Sequence, residues 1–279
     1  MFKDIKQVMK DSVLYGIGNV AVKLVGFILI PLYTDAEYFS TADYGLMGLL
    51  EVTSQILIAV MGLSLYSGLI RWYWDAEYRD KQKTIFFTTL LFTILTSLCI
   101  GSVLWLNVGE LSALLVQQEG YSLGGELPYI LQLLILTSML GAVVEVPQNL
   151  LRLQRKPIYY SLTNIVRLFV TLVLTIYFTI SLHRGVSGVY EAQLVGIVIQ
   201  LLMVLPLVIK NSSCRVDRRC TIQLLVYSYP LVFPAIVGSL LTGFDRYIIN
   251  HFQGLDDVGF YSLGYKVGNT LKVFIVTSV

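Results

Sequence analysis

This sequence is poor in charge. Aspartate, glutamate, lysine and arginine make up 14% of its 279 residues, whereas soluble domains usually carry about 25%. Hydrophobic residues make up 56% of the chain, and its mean hydropathy is +0.71. Such a chain could not cover its apolar surface with polar groups in water. The composition therefore excludes a soluble globular domain, and no nucleic-acid partner is expected.

The residues that usually carry chemistry are also scarce. Cys214 and Cys220 share one short loop, but their spacing, without a nearby histidine, is poor for a metal site. His183 and His251 are isolated, and no pair of acids accompanies them at a recognisable spacing. No loop is large enough to hold an active site of its own. We therefore expect neither a metal nor a cofactor, and we do not expect an enzyme.

Long stretches of the chain contain no charge at all. Thr84–Val108 and Cys220–Phe244 lack any charged residue. About 20 apolar residues span a hydrocarbon core of about 30 Å, and helices satisfy the backbone polar groups there. The sequence thus predicts an all-α membrane protein of about eight transmembrane helices. The predicted spans are 12–33, 44–70, 84–106, 127–150, 158–182, 186–209, 222–244 and 258–279.

The segments between the spans alternate in positive charge. One set holds 14 of the 20 basic residues, and it comprises Lys3, Lys6 and Lys10, Arg71–Lys83, Arg152–Lys156 and Lys210–Arg219. The other set comprises 34–43, 107–126, 183–185 and 245–257, and it holds two, Arg184 and Arg246. Because basic residues in short loops stay on the cytoplasmic side, the N-terminus is predicted to be cytoplasmic.

A short motif recurs in the same topological place. Asp43-Tyr44-Gly45 and Asp257-Val258-Gly259 each open a span, and they lie 214 residues apart. Six spans separate the two copies, so both have the same orientation, which is typical of a parallel repeat of six-helix units. Residues 1–210 are then a complete N-terminal six-helix lobe. Residues 211–279 hold the first two helices of a second lobe, and we expect the chain to be a fragment.

Several ionisable residues fall inside the predicted spans. They are Lys23, Glu51, Glu145, Arg167, Glu191, Lys266 and Lys272. A charge at the bilayer centre costs about 2.5–3.5 kcal/mol, so each deep one needs a reason. Structural ion pairs, such as Lys23 with Glu51, are one explanation. A water-filled cationic cavity for an anionic substrate is the other, and four deep basic residues against one deep acid favour it.

Four segments resemble bacterial polysaccharide flippases, and the likeness extends over nearly the whole chain. The segments are Ile30–Tyr33 followed by Asp43–Gly45, Leu69–Tyr73, the basic loop Leu150–Tyr160, and Phe244–Ile249 followed by Val258–Ser262. The chain is thereby identified as a member of the polysaccharide biosynthesis branch of the multidrug/oligosaccharidyl-lipid/polysaccharide exporter superfamily. That family includes the O-antigen translocases.

The resemblance implies a specific function. Members have 12–14 helices in two lobes, and they flip undecaprenyl-diphosphate-linked oligosaccharide from the cytoplasmic to the outer leaflet of the bacterial inner membrane by alternating access. Lys23, Arg167, Lys266 and Lys272 would line the cationic cavity, and Glu51 could couple a proton or sodium ion. Implied partners are the lipid-linked anionic substrate, membrane lipid, and the glycan polymerase and glycosyltransferases of the pathway. An ion-coupled drug or cation antiporter, or a membrane enzyme of glycan assembly, stays as an alternative.

Overall fold

The computed structural model describes residues 28–115, 125–213 and 215–276, and over these residues it contains helices and no strand. The predicted all-α membrane fold is confirmed. The helices are α1 (Ile30–Tyr33), α2 (Thr41–Gly62), α3 (Leu65–Trp72), α4 (Gln82–Leu106), α5 (Val108–Leu115), α6 (Leu127–Leu153), α7 (Pro157–Ile176), α8 (Gly185–Asn211), α9 (Arg218–Phe252) and α10 (Leu255–Val276). A 3₁₀ turn over Ala76–Lys81 precedes α4, and a π turn over Tyr177–Ser181 follows α7.

Six of the described helical segments are long and apolar enough to cross a membrane. They are Thr41–Gly62, Tyr78–Leu106, Leu127–Leu153, Pro157–Ser181, Gly185–Asn211 and Arg218–Phe252. The predicted first span, 12–33, lies mostly outside the described residues. The predicted eighth span, 258–279, falls largely on α10. This helix is not among the six, and it carries four charged residues, Asp256, Asp257, Lys266 and Lys272.

The predicted second span, 44–70, is not one continuous helix. Leu63 and Ser64 have φ of 45° and 50°, in the left-handed region that residues with a Cβ rarely adopt, and they separate α2 from α3. Thr96 of α4 donates a hydrogen bond of 2.7 Å from its Oγ1 to the carbonyl oxygen of Met61. A carbonyl near the break thus finds a partner, as buried backbone groups in a membrane require.

The prediction of an outer loop over residues 245–257 is also wrong. Helix α9 continues to Phe252, and only Gln253 and Gly254 separate it from α10. Gly254 has φ +98°, which glycine adopts without steric cost and which allows this sharp turn. Pro230 and Pro234 lie inside α9, and the helix runs through both of them. The charge of Asp245 and Arg246 made this segment resemble a loop, although it is helical.

Helix α2 lies at the centre of the described bundle. On one side its Leu46, Leu49 and Leu50 are completely buried and belong to the same apolar cluster as Ile130 and Leu134 of α6. Helix α2 also packs against α10, and no other pair of helices in the described structure packs more extensively. Helix α2 therefore connects the predicted first lobe to the start of the second.

Glycines allow α2 and α10 to cross at backbone contact. A Cβ on Gly45 would overlap the carbonyl oxygen of Leu255 and would lie 2.9 Å from the backbone nitrogen of Gly259. A Cβ on Gly259 would in turn overlap the carbonyl oxygen of Thr41. The offset of 214 residues that relates Gly45 to Gly259 also relates Thr41 to Leu255. The contact is therefore reciprocal, as a two-fold axis between repeat units requires.

The division of the chain at residue 210 stays a prediction. It falls at the end of α8, next to the short connection to α9. Asp217 in this connection accepts a hydrogen bond of 2.7 Å from Lys81 Nζ, and the same contact holds the pKa of Asp217 below its usual range. Residues on both sides of the proposed division thus contact each other at the basic end of the bundle.

The close contact of α2 and α10 at Gly45 and Gly259 predicts how a substitution there changes stability. Gly259→Ala should lower the free energy of unfolding by about 1–3 kcal/mol, because the new methyl group overlaps the α2 backbone. Gly264→Ala on the same helix is the matched control, since a Cβ there meets nothing within 4 Å. The control should be neutral or stabilising by up to about 1 kcal/mol. Thermal unfolding in one detergent measures both, and equal midpoints would contradict the packing described.

Candidate functional site

A cavity of about 650 Å³ lies between α2, α7, α8, α9 and α10. Its lining contains four charged residues, Glu51, Arg167, Arg246 and Lys266. Neutral polar side chains surround them, namely Ser54, Gln55, Asn164, Thr171, Gln193, Ser262 and Asn269, together with the tyrosines Tyr33, Tyr44, Tyr190 and Tyr265. A polar cavity of this size within a membrane bundle is a candidate binding site.

The structure brings together three of the residues predicted from sequence. Arg167 on α7, Lys266 on α10 and Glu51 on α2 all line this cavity. Lys23 lies outside the described residues, and so does the side chain of Lys272. The binding role of each of these residues stays a prediction. Their convergence on one cavity from three separate helices is what the structure adds.

Arg246 is the charged residue that sequence reasoning missed. It had been placed in the predicted outer loop, whereas it is inside α9 and only 7% exposed. A signal for its position was present in the sequence. The repeat offset of 214 aligns Arg246 with Leu32, which falls within the predicted first span. Applying the repeat consistently would have placed Arg246 within a helix.

Contacts with α2 fix the part of α9 that carries Arg246. Gly243 packs directly against the Val52 side chain, and the hydroxyls of Tyr247 and Thr53 share a hydrogen bond of 2.7 Å. Thr53 also donates from its Oγ1 to the carbonyl oxygen of Leu49 at 2.9 Å. The α9 backbone on either side of Arg246 is therefore held against α2. The guanidinium is positioned by these contacts rather than by a loop.

No carboxylate neutralises Arg246 in the part of the chain that the structure describes. The adjacent carboxylate of Asp245 instead accepts hydrogen bonds from the Tyr261 hydroxyl and from the backbone N–H of Arg246. The guanidinium lies over the Tyr265 ring at 5.2 Å, and its Nε is buried with no hydrogen-bond partner among the described residues. Arg246 is thus a buried cation with spare donor capacity.

Arg167 is held by an amide rather than by an acid. Its Nη1 donates a hydrogen bond of 3.0 Å to Oε1 of Gln200 on α8. Gln200 is 1% exposed, and its Nε2 donates at 3.0 Å to Oδ1 of Asn164. Asn164 donates in turn to the carbonyl oxygen of Tyr160 at 2.9 Å. This neutral chain fixes the guanidinium and leaves its charge uncompensated.

Lys266 and Glu51 complete the charged lining. Lys266 Nζ lies 5.5 Å from the ring centroid of Tyr33 and 5.8 Å from that of Tyr44, distances typical of cation–π contacts. Glu51 is exposed to the cavity, and over the described residues its carboxylate forms no ion pair within 4.0 Å. Three cations therefore share the cavity with one carboxylate. An arrangement of this kind attracts anions.

A sequence profile of the family described as "Polysaccharide biosynthesis protein" matches residues 8–279. No curated protein matches this chain.

Solved transporters share the fold. A multidrug resistance MATE family transporter of the MOP superfamily, in an outward-facing conformation, matches with a TM-score of 0.69 and 18% identity over 97% of this chain and 61% of that chain. The inward-facing conformation of such a transporter matches with a TM-score of 0.59 and 15% identity over 89% and 56%. A MOP superfamily transporter from Pyrococcus furiosus, described as having a binding pocket of reverse polarity that suggests a different function, matches with a TM-score of 0.70 and 17% identity over 96% and 61%.

These likenesses show the fold alone, because all of the identities are low. This chain spans 61% of the length of the first of these transporters.

The unpaired charge of Arg246 generates a prediction about stability. Arg246→Met should leave the thermal midpoint unchanged or raise it, because a side chain of similar length replaces a buried cation without a carboxylate partner. Arg152→Met is the control, since that guanidinium donates to the Tyr160 hydroxyl and lies 4.6 Å from its ring centroid. The control should lower the midpoint. A fall for Arg246→Met as large as the control's would mean that Arg246 serves to hold the fold.

Proposed function

Because this chain belongs to the polysaccharide biosynthesis protein family and has the fold of MOP superfamily transporters, we propose that it carries a lipid-linked oligosaccharide across a membrane. The proposed substrate is an undecaprenyl-diphosphate-linked repeat unit of O-antigen, capsule or exopolysaccharide. The proposed movement is from the cytoplasmic to the outer leaflet of the bacterial inner membrane, with a cytoplasmic N-terminus. The observation that carries the proposal is the excess of positive charge in the cavity.

The diphosphate is the part of such a substrate that cannot cross lipid unaided. Removing an ionised group from water is costly unless fixed opposite charges or hydrogen-bond donors replace its hydration. Arg167, Arg246 and Lys266 supply such donors from three helices around one cavity. Arginine presents a planar set of N–H donors that suits phosphate oxygens. The cavity is therefore suited to a diphosphate.

The remaining parts of the substrate suit other features of the chain. Side-chain amides of Gln55, Asn164 and Gln193 line the same cavity, and amides can donate to sugar hydroxyls and accept from them. Helix α9 exposes large apolar side chains along its length, including Tyr229, Phe233 and Leu241. The glycan would occupy the polar cavity, while the polyprenyl tail would stay among the lipid chains outside the bundle.

A drug or cation antiporter of the same fold is the second candidate. Such a transporter is expected to have an acidic cavity, whereas three cations and one carboxylate line this one. Glu51 is the residue in the described cavity that could bind a proton or sodium ion, so an ion-coupled mechanism would involve it. Family and fold also favour a transporter over an enzyme of glycan assembly.

The cationic cavity can be tested by restoring glycan export in a bacterial strain that lacks its own flippase. Arg167→Ala and Lys266→Ala should each reduce surface glycan about tenfold or more at unchanged protein level, because a hydrogen bond to a charged group contributes about 1.5–3 kcal/mol. The same result is predicted for Lys23→Ala. Arg215→Ala, which removes an exposed loop cation, is the matched control. Wild-type export by the cavity variants would refute the proposal.

Glu51 separates the two candidate functions. Glu51→Gln removes the carboxylate that the described residues contribute to the cavity, and it makes the cavity more positive. If the chain is an ion-coupled antiporter, this change should abolish resistance to a cationic dye such as ethidium in a strain without other exporters. If the chain handles a diphosphate, neither the wild type nor this variant should confer dye resistance, whether or not Glu51 couples an ion to glycan export. The antiporter would be favoured if the wild type confers dye resistance, Glu51→Gln abolishes that resistance, and the wild type exports no glycan.

A further inference from the structure

We infer that Arg246 and Ser262 form a subsite for phosphate oxygens at the crossing of α2 and α10. This inference rests on the proposed transport of a diphosphate and specifies which residues of the cavity hold it. Ser262 did not emerge from the sequence as a candidate, and Arg246 had been assigned to a loop. Both residues line the cavity.

Two buried donors without partners are the first observation. Arg246 is 7% exposed and Ser262 is 4% exposed. Over the described residues, Arg246 Nε and Ser262 Oγ are both buried with no hydrogen-bond partner. Burying a polar group without a partner is unfavourable, and these two groups both belong to residues that line the cavity. A ligand that accepts from both groups would remove this cost.

A missing side chain gives the Ser262 hydroxyl its place beside Arg246. Gly48 of α2 faces these two residues, and a Cβ on Gly48 would lie 3.0 Å from Ser262 Cβ and 3.8 Å from Arg246 Cδ. It would also overlap the Ser262 hydroxyl oxygen. Arg246 and Ser262 thus approach one point from two helices, and any larger residue at Gly48 would displace the Ser262 hydroxyl from it. The subsite therefore has a defined position as well as donors.

The chemistry of the two groups selects an oxyanion. A guanidinium donates only, and the serine hydroxyl can donate as well, so the pair suits a ligand atom that accepts hydrogen bonds. Phosphate oxygens carry negative charge and accept several hydrogen bonds, which matches this set. Lys266, one helical turn from Ser262, lines the same cavity as Arg246. Arg246 with Ser262 can hold one phosphate, and Lys266 can hold the next.

The position of the subsite ties binding to conformation. The repeat offset of 214 relates Gly48 to Ser262, so these two residues face each other across the pseudo-two-fold axis. The two donors, Arg246 and Ser262, both belong to the predicted second lobe, and Gly48 of the first lobe packs against the Ser262 hydroxyl. Movement of α2 away from α10 would therefore change access to this hydroxyl.

The test measures binding of farnesyl diphosphate to the purified 279-residue chain in lipid nanodiscs. Ser262→Ala removes only the hydroxyl and should weaken binding about 10- to 100-fold, since hydrogen bonds to charged groups contribute about 1.5–3 kcal/mol. The paired exchange Gly48→Ser with Ser262→Gly moves the hydroxyl to α2 while keeping the volume at the contact. This exchange should weaken binding to the same degree. Ser239→Ala on the α9 helix, where the hydroxyl bonds its own helix, is the matched control.

The outcomes distinguish the two levels of the proposal. If wild type binds no diphosphate, the proposed function fails together with the subsite. A second outcome would separate the two. If wild type binds the diphosphate and Arg167→Ala weakens binding, but Ser262→Ala and Arg246→Lys bind as wild type does, then the cavity function stands and the subsite is wrong. Inorganic phosphate and farnesol serve as competitors. Effective competition by farnesol but not by phosphate would also overturn the subsite.

Thermal unfolding of each variant shows whether it is folded. Ser262→Ala adds no atoms, so it introduces no steric clash that could prevent folding.

Discussion

The backbone contact between α2 and α10 is the constraint on which the described site depends. Helices approach this closely only where both lack side chains, and Gly45 and Gly259 meet that condition reciprocally. The same crossing brings Glu51 of α2 opposite Lys266 of α10 within one cavity. Helix α9 then adds Arg246 to the same wall. The glycines therefore determine which charges share one space, although none of them carries charge.

The excess of cations in that space conflicts with what stability alone would select. A membrane bundle is most stable when its interior is apolar or when each charge meets an opposite charge. Arg167 is instead bonded to the amide of Gln200, and Arg246 lies over the Tyr265 ring with an unsatisfied Nε. Both contacts position a guanidinium without cancelling its charge. Residues that oppose stability in this way are expected at functional sites.

The sequence predicted much of the fold, because hydrophobic length and the distribution of basic residues are local signals. The spans that became α4, α6, α7 and α8 were placed within a few residues of their observed ends. The break at Leu63–Ser64 was not predictable, because neither residue favours the left-handed region and the stabilising contact comes from Thr96, a residue far along the chain. Arg246 was misplaced for a different reason. A charged pair after an apolar run predicts a loop, although a buried charge facing a cavity produces the same local pattern.

The internal repeat connects the fold to the site. The two repeat units are related by a pseudo-two-fold axis, and a residue close to that axis faces its own counterpart from the other unit. In an identical pair the counterparts would have the same side chain, but here Gly48 faces Ser262. This asymmetry places a hydroxyl on the axis, in the position that a side chain on Gly48 would need. Divergence between the two repeat units therefore introduces a polar group at their contact, and the nearby Arg246, aligned with Leu32, shows the same divergence in charge.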